Sequence, residues 1–376
     1  MRRFSAHRLA FVAIPALALA LAACSGSSSD GNAADNAAQP ADAQATAENG
    51  RRFLAQPLVT EIFTADPSAH VFDGKLYIYP SHDVDAGIPD DDLGNQYAMH
   101  DYRVLSMDAI GGPVTVGPVA LDVKDVPWAA KQMWAPDAAY KDGKYFLYFP
   151  AKDNDGIFHI GVAVSDNPMG PFKADPQPIP DSFSMDPAVF TDTDGESYMY
   201  FGGLWGGQLQ KWASGKYDPS IGETDLKQDD KPALMPKIAK MAPDMRRFAE
   251  KPRDVMIVDE KGQPILGGDH DRRFFEAAWM YKRDGKYYFT YSTGDTHFIA
   301  YAVGDNPYGP FTYKGNVLLP VQGWTNHHSI VDFQGKTWLF YHDTQLSGKN
   351  HLRSVKVTEL TFNPDGSILT IDPFVD

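Results

Sequence analysis

The stretch FFEAAWMYKRDGKYYFTYST, residues 274–293, decides the fold. A lone carboxylate, Glu276, is followed by a short apolar run, an Asp284-Gly285 turn, and a second run in which aromatic residues alternate with others. Alternation of that kind around a Gly-led break marks a β-hairpin. The layout recurs in VFDGKLYIYPSHD (71–83), YKDGKYFLYFPA (140–151), TDTDGESYMYFGG (191–203) and DFQGKTWLFYHD (332–343). The turn glycines Gly74, Gly143, Gly195, Gly285 and Gly335 fall about 50 to 90 residues apart, a spacing suited to four-stranded propeller blades with insertions. A second echo, SDNPMGPF (165–172) and GDNPYGPF (304–311), follows two of the hairpins. A β-sandwich leaves that echo unexplained. The expected fold is therefore all-β, a five-bladed β-propeller occupying residues 55–376.

Composition agrees. Of 376 residues, 12% are aromatic, with 32 glycines and 28 prolines, which suits many short strands joined by tight turns. The net charge of −15 supplies no basic footprint for nucleic acid or an anionic membrane surface. Residues 1–23 read as a signal peptide: Arg2, Arg3 and Arg8 precede an apolar run from Leu9 to Ala23, too short to span a bilayer. The run ends Leu21-Ala22-Ala23-Cys24, which resembles a bacterial lipoprotein signal, and Cys24 is the only cysteine. The expectation is lipidation at Cys24, export, and anchoring to the bacterial cell envelope at the periplasm or outer membrane. Residues 24–54, mostly small and polar, read as the lipidated cysteine and a flexible linker. Two insertions stand out, an acidic one at 84–101 and a longer one at 214–260 whose KIAKMAPDMRRFAEKPRD run has helix-like charge alternation broken by prolines. Such loops often shape a pocket on one face of a scaffold.

Polar residues stand six to nine positions upstream of each turn glycine: Asp66, Asp137, Asp186, Glu276 and His327. The innermost strand of each blade runs beside the axis, so residues at its start meet near one mouth. Carboxylates gathered there cannot all ionise with ease. Like charge and burial raise at least one pKa. One carboxyl can then donate a proton while another accepts one, the division of labour that glycoside hydrolysis needs. The aspartates of the turns, such as Asp73 and Asp142, are equally regular, and turn chemistry explains them fully.

Together ADPSAHVFDGKLYIYPSHD, WAPDAAYKDGKYFLYF, MDPAVFTDTDGESYMYFGG, FEAAWMYKRDGKYYFTYS and NHHSIVDFQGKTWLFYHD…HLRSV resemble glycoside hydrolase family 43. The resemblance implies an inverting enzyme that removes pentose from xylan- or arabinoxylan-derived oligosaccharides of plant cell walls. It implies Asp66 as general base, Glu276 as general acid and Asp186 as the carboxylate that tunes the acid. It further implies Asp137 near the substrate, Arg353 reaching a sugar subsite, and His327 facing a hydrated calcium ion. Trp134, Trp205, Phe275 and Trp279 are candidate sugar platforms, blade packing being the commoner use of such aromatics. The wording HHSIVDF…LFYHD…HLRS is more similar to the β-xylosidase and α-L-arabinofuranosidase branch than to the endo-arabinanases, and between the two sugars β-xylosidase is the favoured expectation. An endo-arabinanase or a non-catalytic sugar-binding propeller is the further alternative.

Overall fold

A computed structural model describes residues 46–376, and the leader and Cys24 lie outside the described residues. Five antiparallel sheets follow one another along the chain. Blade I comprises Phe63–Phe72, Lys75–Asp83, Asp101–Met107 and Thr115–Asp122. Blade II comprises Asp137–Lys141, Lys144–Lys152, Phe158–Ser165 and Lys173–Ala174. Blade III comprises Ala188–Thr191, Ser197–Phe201, Lys237–Lys240 and Arg253–Asp254. Blade IV comprises Glu276–Arg283, Lys286–Ser292, Ile299–Gly304 and Phe311–Leu318, with Ile257–Val258 added in parallel at its outer edge. Blade V comprises His328–Phe333, Lys336–Asp343 and Ser354–Leu360. The first strand of each blade packs against the first strand of its neighbours around a common axis.

The hairpin turns explain the repeat. Asp73-Gly74, Asp142-Gly143, Asp284-Gly285 and Gln334-Gly335 each hold two consecutive positive φ angles, the twist that joins tightly paired strands with a two-residue loop. The blade III turn is wider, with Gly195 donating to the Asp192 carbonyl at 2.9 Å.

The core lies between blades, one apolar cluster per interface. Tyr102 and Val104 meet Leu147 and Phe149 between I and II. Tyr148 and Ile160 meet Met199 and Phe201 between II and III. Ile238 and Tyr200 meet Phe289 and Phe311 between III and IV. Tyr301 and Val317 meet Leu339 and Tyr341 between IV and V. Phe340 and Val355 meet Leu76 and Leu105, closing V onto I. The echoed DNPxGPF segments serve these interfaces. Tyr79 donates its hydroxyl to the Pro168 carbonyl and Tyr200 donates to the Pro307 carbonyl, each at 2.7 Å. In both cases a buried tyrosine of one blade satisfies its polar tip on the next.

Two expectations change. The 214–260 insertion contains no α-helix. Lys237–Lys240 and Arg253–Asp254 are strands of blade III instead, because pairing of the first with Ser197–Phe201 and of the second with the first overrides the local charge pattern. The linker also ends earlier than residue 54. Arg52–Phe53 pairs with Phe374–Val375 near the C-terminus, and Leu58 donates to the Val355 carbonyl on blade V at 2.8 Å.

Candidate active site

Sharp backbone features lift the acidic residues out of their ladders. In blade I the register shifts between Ala65 and Ser68, and Asp66 has φ +48°. In blade IV it shifts between Glu276 and Trp279, with Ala277 at φ +60°. Asp186, just before blade III, has φ +55°. Bulges and left-handed non-glycine residues cost energy and re-aim side chains, and they gather at functional sites. Here they turn Asp66, Asp186 and Glu276 into one cavity at one mouth of the axis. All three are buried, at 6%, 4% and 9% exposure.

The three carboxyls have different partners. Asp66 Oδ1 accepts from Arg353 at 2.9 Å and Oδ2 from the Ser81 hydroxyl at 2.6 Å. Arg353 is itself gripped in a two-pronged pair by Asp83, at 2.9 and 2.8 Å, and lies 4.8 Å from the Tyr97 ring centroid. Asp186 Oδ2 accepts the N–H of Ala277 at 2.9 Å, which ties it to the bulge beside Glu276. His327 Nδ1 lies 3.6 Å from Asp66 and 3.8 Å from Asp186.

Their proton affinities diverge accordingly. Burial alone raises Asp66, but the Arg353 charge, then His342, His327 and Ser81, hold it down to about 2. Burial pushes Glu276 well above the usual carboxylate range, and Asp186 and Asp66 push it further. Asp186 rises to about 8 through burial and Asp66, while the Ala277 N–H opposes the rise. The histidines are neutral near pH 7, since burial lowers His327 to about 4 and His342 to about 3. Arg353 is therefore the standing positive charge that keeps Asp66 ionised.

Aromatic and acidic walls close the cavity. Trp134, Trp205 and Phe275 line it. Trp324 completes an aromatic corner, 5.7 Å from Trp205 and 5.9 Å from Phe275. The insertion at 84–101 forms a second wall. Asp90 accepts from Asn350 at 3.0 Å and pairs with His351 at 3.1 Å, and Asp85 pairs with Lys349 at 2.7 Å. On its other side Gly94 faces the Trp134 ring so closely that a Cβ would stand 2.7 Å from it. The indole of Trp134 donates to the Tyr97 carbonyl at 2.8 Å.

Two expected contacts lie elsewhere. Asp137 does not line the cavity. It pairs in register with Tyr148 without a bulge, so its carboxylate stays inside the ring, bonded to Ser68, to the N–H of Val189 and to His70 at 2.6 Å. Trp279 lies beyond the bulge among residues of all five first strands, with its indole donating to the Ile330 carbonyl at 3.1 Å. Arg353 does line the cavity, but its guanidinium is committed to Asp66 and Asp83. His327 offers a cation one ring nitrogen, and among the described residues no three His, Cys, Asp or Glu side chains form a metal-holding group. Calcium takes six to eight oxygen ligands, so these residues fit it only if water supplies most of the shell.

Residues not singled out from sequence complete the site: Ser81, Asp83, Tyr97, Trp324, Thr325 and His342. Ser81, Asp83 and His342 sit at the ends of second strands. In an antiparallel hairpin those ends lie beside the start of the first strand, as Asp83 does opposite Phe63. Polar residues closing PSHD and YHD were the readable signal.

An ionised carboxylate and a protonated one, lining the same aromatic-walled pocket, equip a propeller to cleave glycosidic bonds by proton transfer. The model of glycosyl hydrolases family 43 matches residues 55–368, and the chain belongs to that family. It is 60% identical over 324 residues to xylosidase/arabinosidase 43A of Humicola insolens, covering 84% of this chain and 99% of that protein. It is 54% identical to a xylosidase/arabinosidase of Bacteroides ovatus, covering 84% and 97%. Among solved structures it resembles a family 43 β-xylosidase/α-arabinofuranosidase from a compost microbial metagenome, in complex with xylotriose in a calcium-free form. That match has 65% identity and a TM-score of 0.85, covering 87% of this chain and 100% of that one.

Proposed function

We propose that this family 43 hydrolase removes β-D-xylose from the ends of xylo- and arabinoxylo-oligosaccharides with inversion, α-L-arabinofuranose being the second sugar it accepts. The observation that carries the reading is the set of three buried carboxyls with unequal proton affinity in one cavity. Asp66, held ionised by Arg353, takes the proton of the attacking water. Glu276, held protonated by burial and its acidic neighbours, gives its proton to the departing oxygen. Asp186, buried beside the acid, adds to the proton affinity of Glu276, and its bond to the Ala277 N–H fixes its place there. The bond made is water oxygen to anomeric carbon, the bond broken is anomeric carbon to leaving oxygen, and the proton lost by Glu276 is balanced by the one gained at Asp66.

Attack from chain ends is supported by the seam of Asp85 and Asp90 with Lys349, Asn350 and His351, which walls off one side of the cavity. Relatives named for both xylosidase and arabinosidase activity support a pentose as the sugar removed, and a 52% identical relative named as a β-xylosidase supports xylose. Paired assays with nitrophenyl xyloside and nitrophenyl arabinofuranoside, with the anomer released from xylobiose followed by proton NMR, test it. The α-anomer of xylose is expected first, and release of the β-anomer overturns inversion. A calcium ion held mainly by water at His327 belongs to the same proposal, and elemental analysis of dialysed protein tests it. So does lipidation at Cys24, for which mass analysis of the mature N-terminus from a membrane fraction is the test.

A further inference from the structure

We infer that Asp225, on the long insertion between the second and third strands of blade III, is a positioning residue for the substrate wall and acts through the indole of Trp205. This rests on the proposed glycosidase reading and adds a residue that no part of that reading assigns.

Trp205 enters the cavity from the loop after Ser197–Phe201 with φ +51°, a backbone conformation that a large side chain adopts only when its surroundings hold it there. The loop itself leaves little slack. A Cβ on the next residue, Gly206, would stand 2.7 Å from the Leu93 carbonyl oxygen. What orients the ring is its N–H, which donates to Asp225 Oδ1 at 3.0 Å. Asp225 is in turn fixed by a two-pronged pair with Arg273, at 2.9 and 3.1 Å. The Arg273 side chain is 5% exposed and its guanidinium carbon lies 6.0 Å from the Phe275 ring centroid. Asp225 therefore braces Trp205 directly and is itself held in place by the buried Arg273 beside Phe275. The two rings meet at 5.3 Å with an interplanar angle of 72°. An aromatic wall holds a sugar through its apolar face, so its orientation affects binding of substrate and transition state alike. That effect belongs in KM rather than kcat.

The test is a double-mutant cycle of Asp225→Ala, Trp205→Phe and the pair, read by steady-state kinetics on xylobiose, with Asp225→Asn as the conservative control. Asn keeps an acceptor for the indole, and the expected KM stays within twofold of the parent. Asp225→Ala and Trp205→Phe each raise KM about fivefold, with kcat changing less, as expected for one lost hydrogen bond. The double variant is expected to be no worse than Trp205→Phe alone. A KM unchanged in Asp225→Ala, or effects that multiply in the double variant, overturns the inference. If Asp225→Ala weakens the hold on Arg273 and fails to fold, an unchanged KM in Trp205→Phe, or an Asp225→Asn as impaired as Trp205→Phe, overturns it. The same cycle in a Glu276→Gln background, read by calorimetric titration with xylotriose, separates this inference from the proposed function. Absence of turnover in the parent enzyme overturns the function, whereas uncoupled binding losses overturn only the role of Asp225.

Discussion

The Asp66 and Glu276 carboxyls differ by neighbour, not by burial. Both are enclosed, yet Arg353 and Ser81 supply hydrogen bonds to the ionised form of Asp66, whereas Glu276 meets chiefly other acids. Glu276→Gln is therefore expected to lower kcat by about two to four orders of magnitude on xylobiose. The loss should be smaller on nitrophenyl xyloside, whose leaving group needs no proton. Equal losses on both substrates, in steady-state assays, would remove Glu276 from the acid role. The pH dependence follows from the same neighbours. On the alkaline side kcat/KM falls as Glu276 gives up its proton. On the acid side Asp66 stays ionised to about 2, so it sets no limit near pH 5. The buried histidines set it instead. Below their ordinary value of about 6.5 the unfolded chain binds protons that folded His327 and His342 refuse until about 4 and 3. More protons on the unfolded chain means that their contribution to stability drops as pH falls from 6.5 towards 4. A pH–rate profile set beside melting curves checks this. An acid limb near pH 5 in fully folded protein would count against it.

At the scale of elements, the acidic insertion at 84–101 is a wall because both its flanks are fastened. One flank holds Asn350 and His351 through Asp90, and the other lays Gly94 against Trp134. Asp90→Ala removes both bonds to the blade V loop. It is expected to raise KM for xylobiose by roughly two- to tenfold, with a smaller change in kcat, since each bond contributes on the order of 1 kcal/mol. Michaelis kinetics decide it, and an unchanged KM would show that the wall stands without its seam. The hairpins themselves were legible because their chemistry is local. Asp-Gly turns and alternating aromatics predict Lys75–Asp83 or Lys286–Ser292 from within each segment. Lys237–Lys240 was not legible, because its partner lies across a long loop and its own residues favour no strand.

For the whole molecule, blade V closes onto blade I through their shared apolar cluster, and residues that composition assigned to a linker pack against blade V beside that seam. Phe53 is buried against Phe374 at 5.6 Å and lies over the Lys356 ammonium at 4.0 Å. Lys356 pairs with Asp343 in the interior. Phe53→Ala is expected to destabilise the propeller by about 3–5 kcal/mol, measured by chemical denaturation, while kcat/KM of the folded enzyme stays near that of the parent. A loss below about 1 kcal/mol would show that the terminal strands do not brace the propeller.

The blade count, the hairpin positions and the three acids were determined by the sequence itself, since turn residues and a period-two pattern act over a few positions and repeat. Asp137 shows where that reasoning stops. It stands at the same kind of place as Asp66 and Glu276, yet the absence of a bulge keeps it in register and leaves it inside the ring. The partners that set each pKa, Arg353 for Asp66 and Ala277 for Asp186, come from distant parts of the chain. Only tertiary structure decided which acid is ionised, because proton affinity depends on what surrounds a carboxyl in space and not on what precedes it in the chain.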